Sequence, residues 1–459
     1  MKYNKLIVKN ADQLIFGKAP FPIVTARGLE IGGGHVYPEL NFTVPSCQEI
    51  SNNNIPELKN MYSKIVQNAL QRAVALQSTG LVIEFETLVE MTSHPNIGVE
   101  LVKSMNEICE DFFANHGLKT EIRLTPNDIR EFDRPPLYRT SKYLDSMLKL
   151  FDEGSKAGSD LLSIESTGGK EVCDDALMMC DIKSVVFSLA VLGVRDMKFL
   201  WEKIVNIANA NGKIAAGDTA CGFGNTAMVL AEQKHIPKVF AAIVRVATVV
   251  RSLVAMEQGA VGPHKDCGYE GVYIKAITGI PISLEGKTAA CAHFSTIGNI
   301  ASAAADLWSN ESVQNIKLLS GMAPTVSYEQ LQYDVRLMNA AIDKNDNSAL
   351  TLHNLLIESD VHLDSQAFVL DPKNVIPISE EIVKGKNYVD ATVRGCIKAL
   401  ELIKVAVDDN TLVFPENEKR WLDIIQEGLE SIPRDESKFI EEMLPVIDTV
   451  KIILSEYGL

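Results

Sequence analysis

The stretch Leu58-Lys-Asn-Met-Tyr-Ser-Lys-Ile-Val-Gln-Asn-Ala-Leu-Gln-Arg-Ala-Val-Ala-Leu76, followed by Gly80-Leu-Val-Ile-Glu-Phe-Glu86, decides the fold class. Apolar residues at 58, 61, 62, 65, 66, 69, 70, 73 and 74 recur at the spacing of a helix with one core-facing stripe. Pro56 opens that helix and Gly80 closes it. The apolar, β-branched run after Gly80 is too short for another helix and suits a strand covered on both faces. The unit helix, glycine, strand then recurs. Residues 99–115 show helical spacing through Val102, Met105, Cys109, Phe112 and Phe113, then pass Gly117 into Thr120-Glu-Ile-Arg-Leu124. Residues 142–157 lead in the same way into Leu161-Leu-Ser-Ile-Glu165.

Strands alternating with helices imply a parallel sheet. Residues 185–189 and 213–216 are further strand candidates, separated by the helical stretch 198–210. Leu29-Glu-Ile31, before Gly32-Gly-Gly34, supplies a first strand, and Pro281-Ile-Ser-Leu-Glu285 a last one. The count suits the roughly eight strands of an α/β TIM barrel, (β/α)8. An open doubly wound sheet is the alternative, because strand order is not legible in one sequence. From residue 327 strand signals stop, and residues 389–407 and 420–432, broken by Pro415 and Pro433, read as helices. The expected division is a catalytic barrel over residues 1–326 and a helical region packed on it over residues 327–459.

The 459 residues are 46% hydrophobic and 23% charged, which excludes disorder, collagen-like repeats and a small disulfide scaffold. Lys+Arg number 44 against 60 Asp+Glu, a net charge of −16 that repels phosphate backbones and anionic membrane faces. Neither nucleic acid nor a membrane is an expected partner. The most apolar tract, residues 239–256, contains Arg245 and Arg251 and reads as a buried amphipathic helix rather than a span. Residues 1–10 lead into no apolar run of signal-peptide length. Eight irregularly spaced cysteines then fit reduced thiols in the cytoplasm.

Three segments carry candidate chemistry, each placed at the C-terminal end of a strand, where barrel enzymes keep their sites. They are Ser163-Ile-Glu-Ser-Thr-Gly-Gly-Lys170, Ala216-Gly-Asp-Thr-Ala-Cys-Gly-Phe-Gly-Asn-Thr226 and Gly262-Pro-His-Lys-Asp-Cys-Gly-Tyr-Glu270. One carboxylate and two thiolates, Glu165, Cys221 and Cys267, suit Zn²⁺ with its fourth position open. Gaps this long are wrong for a zinc finger and work only if distant strand ends converge. The competing reading is that Cys221 and Cys267 are buried, inert thiols and Glu165 a solvated loop residue.

Other candidates are weaker. Cys173 and Cys180 lie two helical turns apart and read as core packing, and Cys47, Cys109, Cys291 and Cys396 lie in apolar surroundings. His264, beside a proline, reads as exposed, and Glu84 and Glu86 form a possible acid/base pair at another strand end. The glycines of residues 217–224 match no phosphate loop, and neither His-Glu-x-x-His nor Gly-x-Ser-x-Gly occurs.

At these three motifs the sequence resembles the methanol:corrinoid methyltransferases, the zinc subunits that start methanol use in methanogens and acetogens. The likeness runs from Gly28-Leu-Glu-Ile-Gly-Gly-Gly34 through Ile277-Thr-Gly279 and Glu285-Gly-Lys287 into the helical end. It implies a barrel fold and one zinc per chain on Glu165, Cys221 and Cys267. It also implies methyl transfer from methanol to the Co(I) corrinoid of a separate corrinoid protein, and a homodimer within a larger complex. Two thiolates and a carboxylate weaken the metal's acidity, so a proton donor is expected nearby, with Asp266, His264 and Tyr269 as candidates. Two alternatives stand beside this reading: a zinc methyltransferase for a methoxylated aromatic or a methylthiol, and a non-catalytic scaffold subunit that binds a corrinoid protein.

Overall fold

The structure, a computed structural model, describes residues 1–46 and 48–459; Cys47 lies outside the described residues. A hairpin of β1 (Lys18–Val24) and β2 (Glu30–Gly33) precedes the strands β3 (Tyr37–Thr43), β4 (Gly80–Glu86), β5 (Lys119–Thr125), β6 (Leu161–Ile164) and β7 (Ile214–Asp218). Then follow β8 (His264–Asp266), β9 (Ile282–Glu285) and β10 (Leu307–Ser309). From β3 to β10 the strands are parallel neighbours in chain order, and β10 returns to pair with β3. Between β7 and β8 the ring is joined just before β8, where Val261 N–H donates to Ala215 O at 2.9 Å and Gly262 N–H to Ala216 O at 3.0 Å. This is the expected barrel.

The helices read from periodicity are present: Ile55–Ala75, Pro95–His116, Lys142–Ala157 and Val194–Ala210 precede β4 to β7 in turn. The first buries Leu58, Tyr62, Ile65, Val66, Ala69, Leu70 and Ala73, a single stripe facing the barrel. Pro95–His116 stops at Gly117, whose φ of 69° is open to glycine at little cost. After residue 327 the chain is helical, with Tyr388–Asp408 and Lys419–Glu430 on either side of Pro415. Ala323–Asp343 packs on β3, and Tyr388–Asp408 on Lys238–Gln258.

Three sequence expectations are corrected. Residues 185–189 are helical, running through Ile182–Phe187 into a wide π-type turn, because their apolar run is buried on all sides and its length alone does not separate strand from helix. Leu29 to Ile31 belongs not to the barrel but to the hairpin, where Ile23, Leu29 and Ile31 close the barrel floor against Val82, Leu161, Ala216 and Leu307. Lys238–Gln258 has no polar face: every residue from 239 to 256 is buried. It is long and apolar enough to cross a membrane, yet it lies wholly inside the fold.

Above its apolar floor the barrel interior is ionic. Arg123 Nε donates to Glu39, Nη1 donates to Ser163 Oγ at 2.8 Å and to Pro263 O at 2.9 Å, and Ser283 also reaches Glu39. Lys265 Nζ stands 2.7 Å from Glu84. Against the cost of burial, the Lys265 and Arg123 cations hold the Glu84 carboxyl below the usual carboxylate range. Arg123→Met would strand Glu39 in the barrel without its cation, and urea unfolding is expected to show a loss of about 3–5 kcal/mol.

Candidate metal centre

Glu165 follows β6 directly, Cys267 follows β8 directly, and Cys221 opens the wide turn Cys221–Asn225 just beyond β7. Neighbouring parallel strands bring these ends to one rim. One carboxylate oxygen and the two sulfurs lie within 4.8 Å of one another, with Cys267 Sγ 3.4 Å from Glu165 Oε1. The arrangement can hold a metal ion. It faces a cavity of about 420 Å³ lined by Glu86, Glu165, Lys170, Cys221, Asn225 and His293, among others.

The electrostatics favour a cation. A hydrogen bond from Cys267 favours the Cys221 thiolate, but burial and the charge of Glu165 outweigh it and push the Cys221 thiol up to about 12. Burial, then the neighbouring Cys221, pushes the Cys267 thiol well above its ordinary value. A divalent ion removes that conflict, because ionised donors that repel one another then share a positive partner. Lys265 Nζ also stands 3.2 Å from Glu165 Oε1, so a buried cation steadies the carboxylate.

The wall behind the rim is built from charged side chains that serve backbone. Arg251 Nη2 donates to Ser166 O at 2.6 Å, beside Glu165, and Arg245 Nη1 to Gly268 O at 2.7 Å, beside Cys267. The arginines that interrupt the apolar tract therefore brace the loops bearing two of the three donors. Tyr457 Oη accepts Gly169 N–H at 2.9 Å, so the C-terminal helical region seals the loop after Glu165.

Strand alternation sorts the 264–267 segment. Lys265 and Cys267 face the barrel axis and rim, whereas His264 and Asp266 turn outward beneath the helices and are fully buried. His264 is thus not exposed as expected from its proline neighbour. Asp266 is spent on the Glu270 and Gly271 amides, and Tyr269 lies under Arg245, so none of the three candidate proton donors lines the cavity. Glu86 does, held by Asn41 Nδ2 at 2.9 Å. Burial, then the charge of Glu165, pushes its carboxyl up to about 7. Asn225, 3.7 Å from Cys221 Sγ, lies within the quoted Cys221 segment, where its amide gives no chemical signal of its own, and His293, 3.1 Å from Asn225, lies in no motif that could mark it in advance.

The remaining cysteines separate as well. Cys109, Cys173 and Cys396 are buried. Cys180 ends its helix at φ 51° and is half-buried, and Cys291 is exposed rather than apolar-packed.

Residues 1–458 match the family model of the methanol-cobalamin methyltransferase B subunit, MtaB. The methanol–corrinoid protein co-methyltransferase of Methanosarcina barkeri (strain Fusaro / DSM 804) is 36% identical over 449 residues, covering 96% of this chain and 95% of the relative. The crystal structure of the methanol:cobalamin methyltransferase complex MtaBC from Methanosarcina barkeri contains a chain that superposes with a TM-score of 0.95 at 34% identity, covering 100% of this chain and 99% of that one.

The donor set leads to a definite expectation. Elemental analysis after loading should find about one thiophilic divalent ion per chain. Cys221→Ser and Cys267→Ser should lose it while keeping the helical circular dichroism of the parent chain.

Proposed function

Because the chain belongs to the methanol-cobalamin methyltransferase B subunit family, we propose that it transfers the methyl group of methanol to the Co(I) corrinoid of a partner corrinoid protein, using one zinc ion. Glu165, Cys221 and Cys267 would hold that ion. Their convergence from three strand ends to within 4.8 Å of one another, with Glu165 and Cys221 in the wall of one cavity, carries the proposal. Two sulfurs beside one carboxylate favour zinc over the hard cations magnesium and calcium.

Methanol is a poor methyl donor because its oxygen leaves badly. Zinc, when bound, supplies the Lewis acidity that draws electron density from that oxygen. The side chains answer the remaining needs. The methyl carbon passes to Co(I), the C–O electron pair stays on oxygen, and oxygen needs one proton to leave as water. Glu86 is a cavity carboxyl whose proton affinity is raised by burial and then by the charge of Glu165, and its Oε atoms are the proposed source of that proton. Lys265, shared between Glu84 and Glu165, draws part of the negative charge from the ligand set, which limits the loss of metal acidity. A cavity of about 420 Å³ far exceeds a one-carbon alcohol, given roughly 30 Å³ per water. The surplus fits the approach of a corrinoid face held by another protein.

We further propose a homodimeric, cytoplasmic core that carries corrinoid subunits, the corrinoid partner being in keeping with the related MtaBC complex. Within it, residues 1–326 would form the catalytic barrel and residues 327–459 a helical region packed on it. Mass measurement of the purified complex with its corrinoid protein tests the stoichiometry.

The reaction itself is tested by adding methanol to the zinc-loaded chain and a Co(I) corrinoid and following methyl-cobalt formation by absorbance. Methanol-dependent methylation is expected; turnover with a methoxylated aromatic or a methylthiol alone would reassign the substrate. Glu86→Gln should lower kcat by about 10²–10⁴-fold, the usual contribution of a general acid, with zinc content unchanged.

A further inference from the structure

Cys267 lies just past the end of β8 and Cys221 opens the wide turn Cys221–Asn225, so no backbone ladder joins the two residues and fixes the distance between their sulfurs. Thr219 links the Cys221 loop to the Cys267 loop. It follows β7, is fully buried, and belongs to the Cys221 loop. Its Oγ1 accepts Cys267 N–H at 3.1 Å and Gly268 N–H at 3.3 Å, and lies 3.6 Å from Cys267 Sγ.

A hydroxyl has two acceptor lone pairs and one hydrogen. The two amides occupy the lone pairs. Among the described residues, Cys267 Sγ is the acceptor left within reach of the hydrogen. The hydroxyl therefore does two things at once: it pins the backbone of the opposite loop and directs an O–H at the sulfur.

The reverse tie comes from Glu270, on the Cys267 loop. Its Oε1 accepts Ala220 N–H at 2.8 Å, one residue before Cys221, and Ser252 Oγ–H at 2.7 Å from the buried helix Lys238–Gln258. Each cysteine loop is thus held at its backbone by a side chain from the other. This clasp ties the backbones of the two loops to each other.

We propose that Thr219 is a positioning residue of the metal centre, holding Cys267 Sγ in register with Cys221 and donating a hydrogen bond to its thiolate. This rests on reading Glu165, Cys221 and Cys267 as the metal ligands. A hydrogen bond to a thiolate favours the charged, ligating form and lowers the energy of the sulfur lone pairs. Loss of such an outer partner typically weakens metal binding by about 10–100-fold.

The test compares wild type, Thr219→Val, Thr219→Ser and Cys267→Ala, each with intact circular dichroism. Zinc affinity is read by competition with a chromophoric chelator, and the sulfur-to-metal charge-transfer band is read on the Co²⁺-loaded protein. T219V should bind zinc about 10–100-fold more weakly. Its charge-transfer band should move to lower energy, a change that general loosening of the fold would not produce. T219S keeps the hydroxyl and should restore both. Thr219→Ala, which removes the hydroxyl without adding a methyl group, provides the same reading if the valine variant does not fold. A folded T219V with wild-type affinity and an unmoved band would overturn the proposal. A wild type that binds neither ion, or a C267A that binds as well as wild type, would instead overturn the metal-centre reading on which it rests.

Discussion

Inside the barrel, Lys265 Nζ reaches Glu84 at 2.7 Å and Glu165 at 3.2 Å, and through it the strand interior and the rim share one electrostatic system. Burying an ammonium is costly unless anions surround it. Here they do: against the cost of burial, Glu84 and then Glu165 hold Lys265 well above the usual lysine range. The arrangement below repeats the logic, with Arg123 against Glu39. Charges that could not be buried singly are stacked along the barrel axis in pairs, and the uppermost carboxylate is presented to the cavity.

Ring closure makes that stacking useful. Glu165, Cys221 and Cys267 are dozens of residues apart, and only the neighbouring order of β6, β7 and β8 places their ends together. The helix Lys238–Gln258 then holds the assembled loops from behind through Arg245, Arg251 and Ser252. A helix of membrane-like composition is thereby used as an internal beam, with its two arginines spent on the backbone of the site and Ser252 on the Glu270 carboxylate.

Much of this was legible in the residues, and the gaps have physical causes. Helices with one apolar stripe, such as Ile55–Ala75, declare themselves by period. So does β4, whose apolar run is buried. β3 (Tyr-Pro-Glu-Leu-Asn-Phe-Thr) and β8 (His-Lys-Asp) do not, because a barrel lined with ion pairs writes polar residues where an apolar run is looked for. The apolar hairpin strand Leu29 to Ile31 was the mirror error, since a floor plug and a barrel strand need the same side chains. At the site, residue type singled out Glu165, Cys221 and Cys267, and the structure brings them together. Facing direction decided the rest. Strand alternation sends His264 and Asp266 away from the cavity and Lys265 toward it, and Glu86, a plain strand-end carboxylate in sequence, enters the cavity wall.

The central claim is that one zinc ion sits on two sulfurs and one carboxylate at the barrel rim. X-ray absorption at the zinc edge of the loaded protein tests it directly. The account predicts two sulfur scatterers at about 2.3 Å and lighter scatterers at about 2.0–2.2 Å, with the sulfur shell unchanged on adding methanol. A spectrum fitted by nitrogen and oxygen alone, or by four sulfurs, would contradict it.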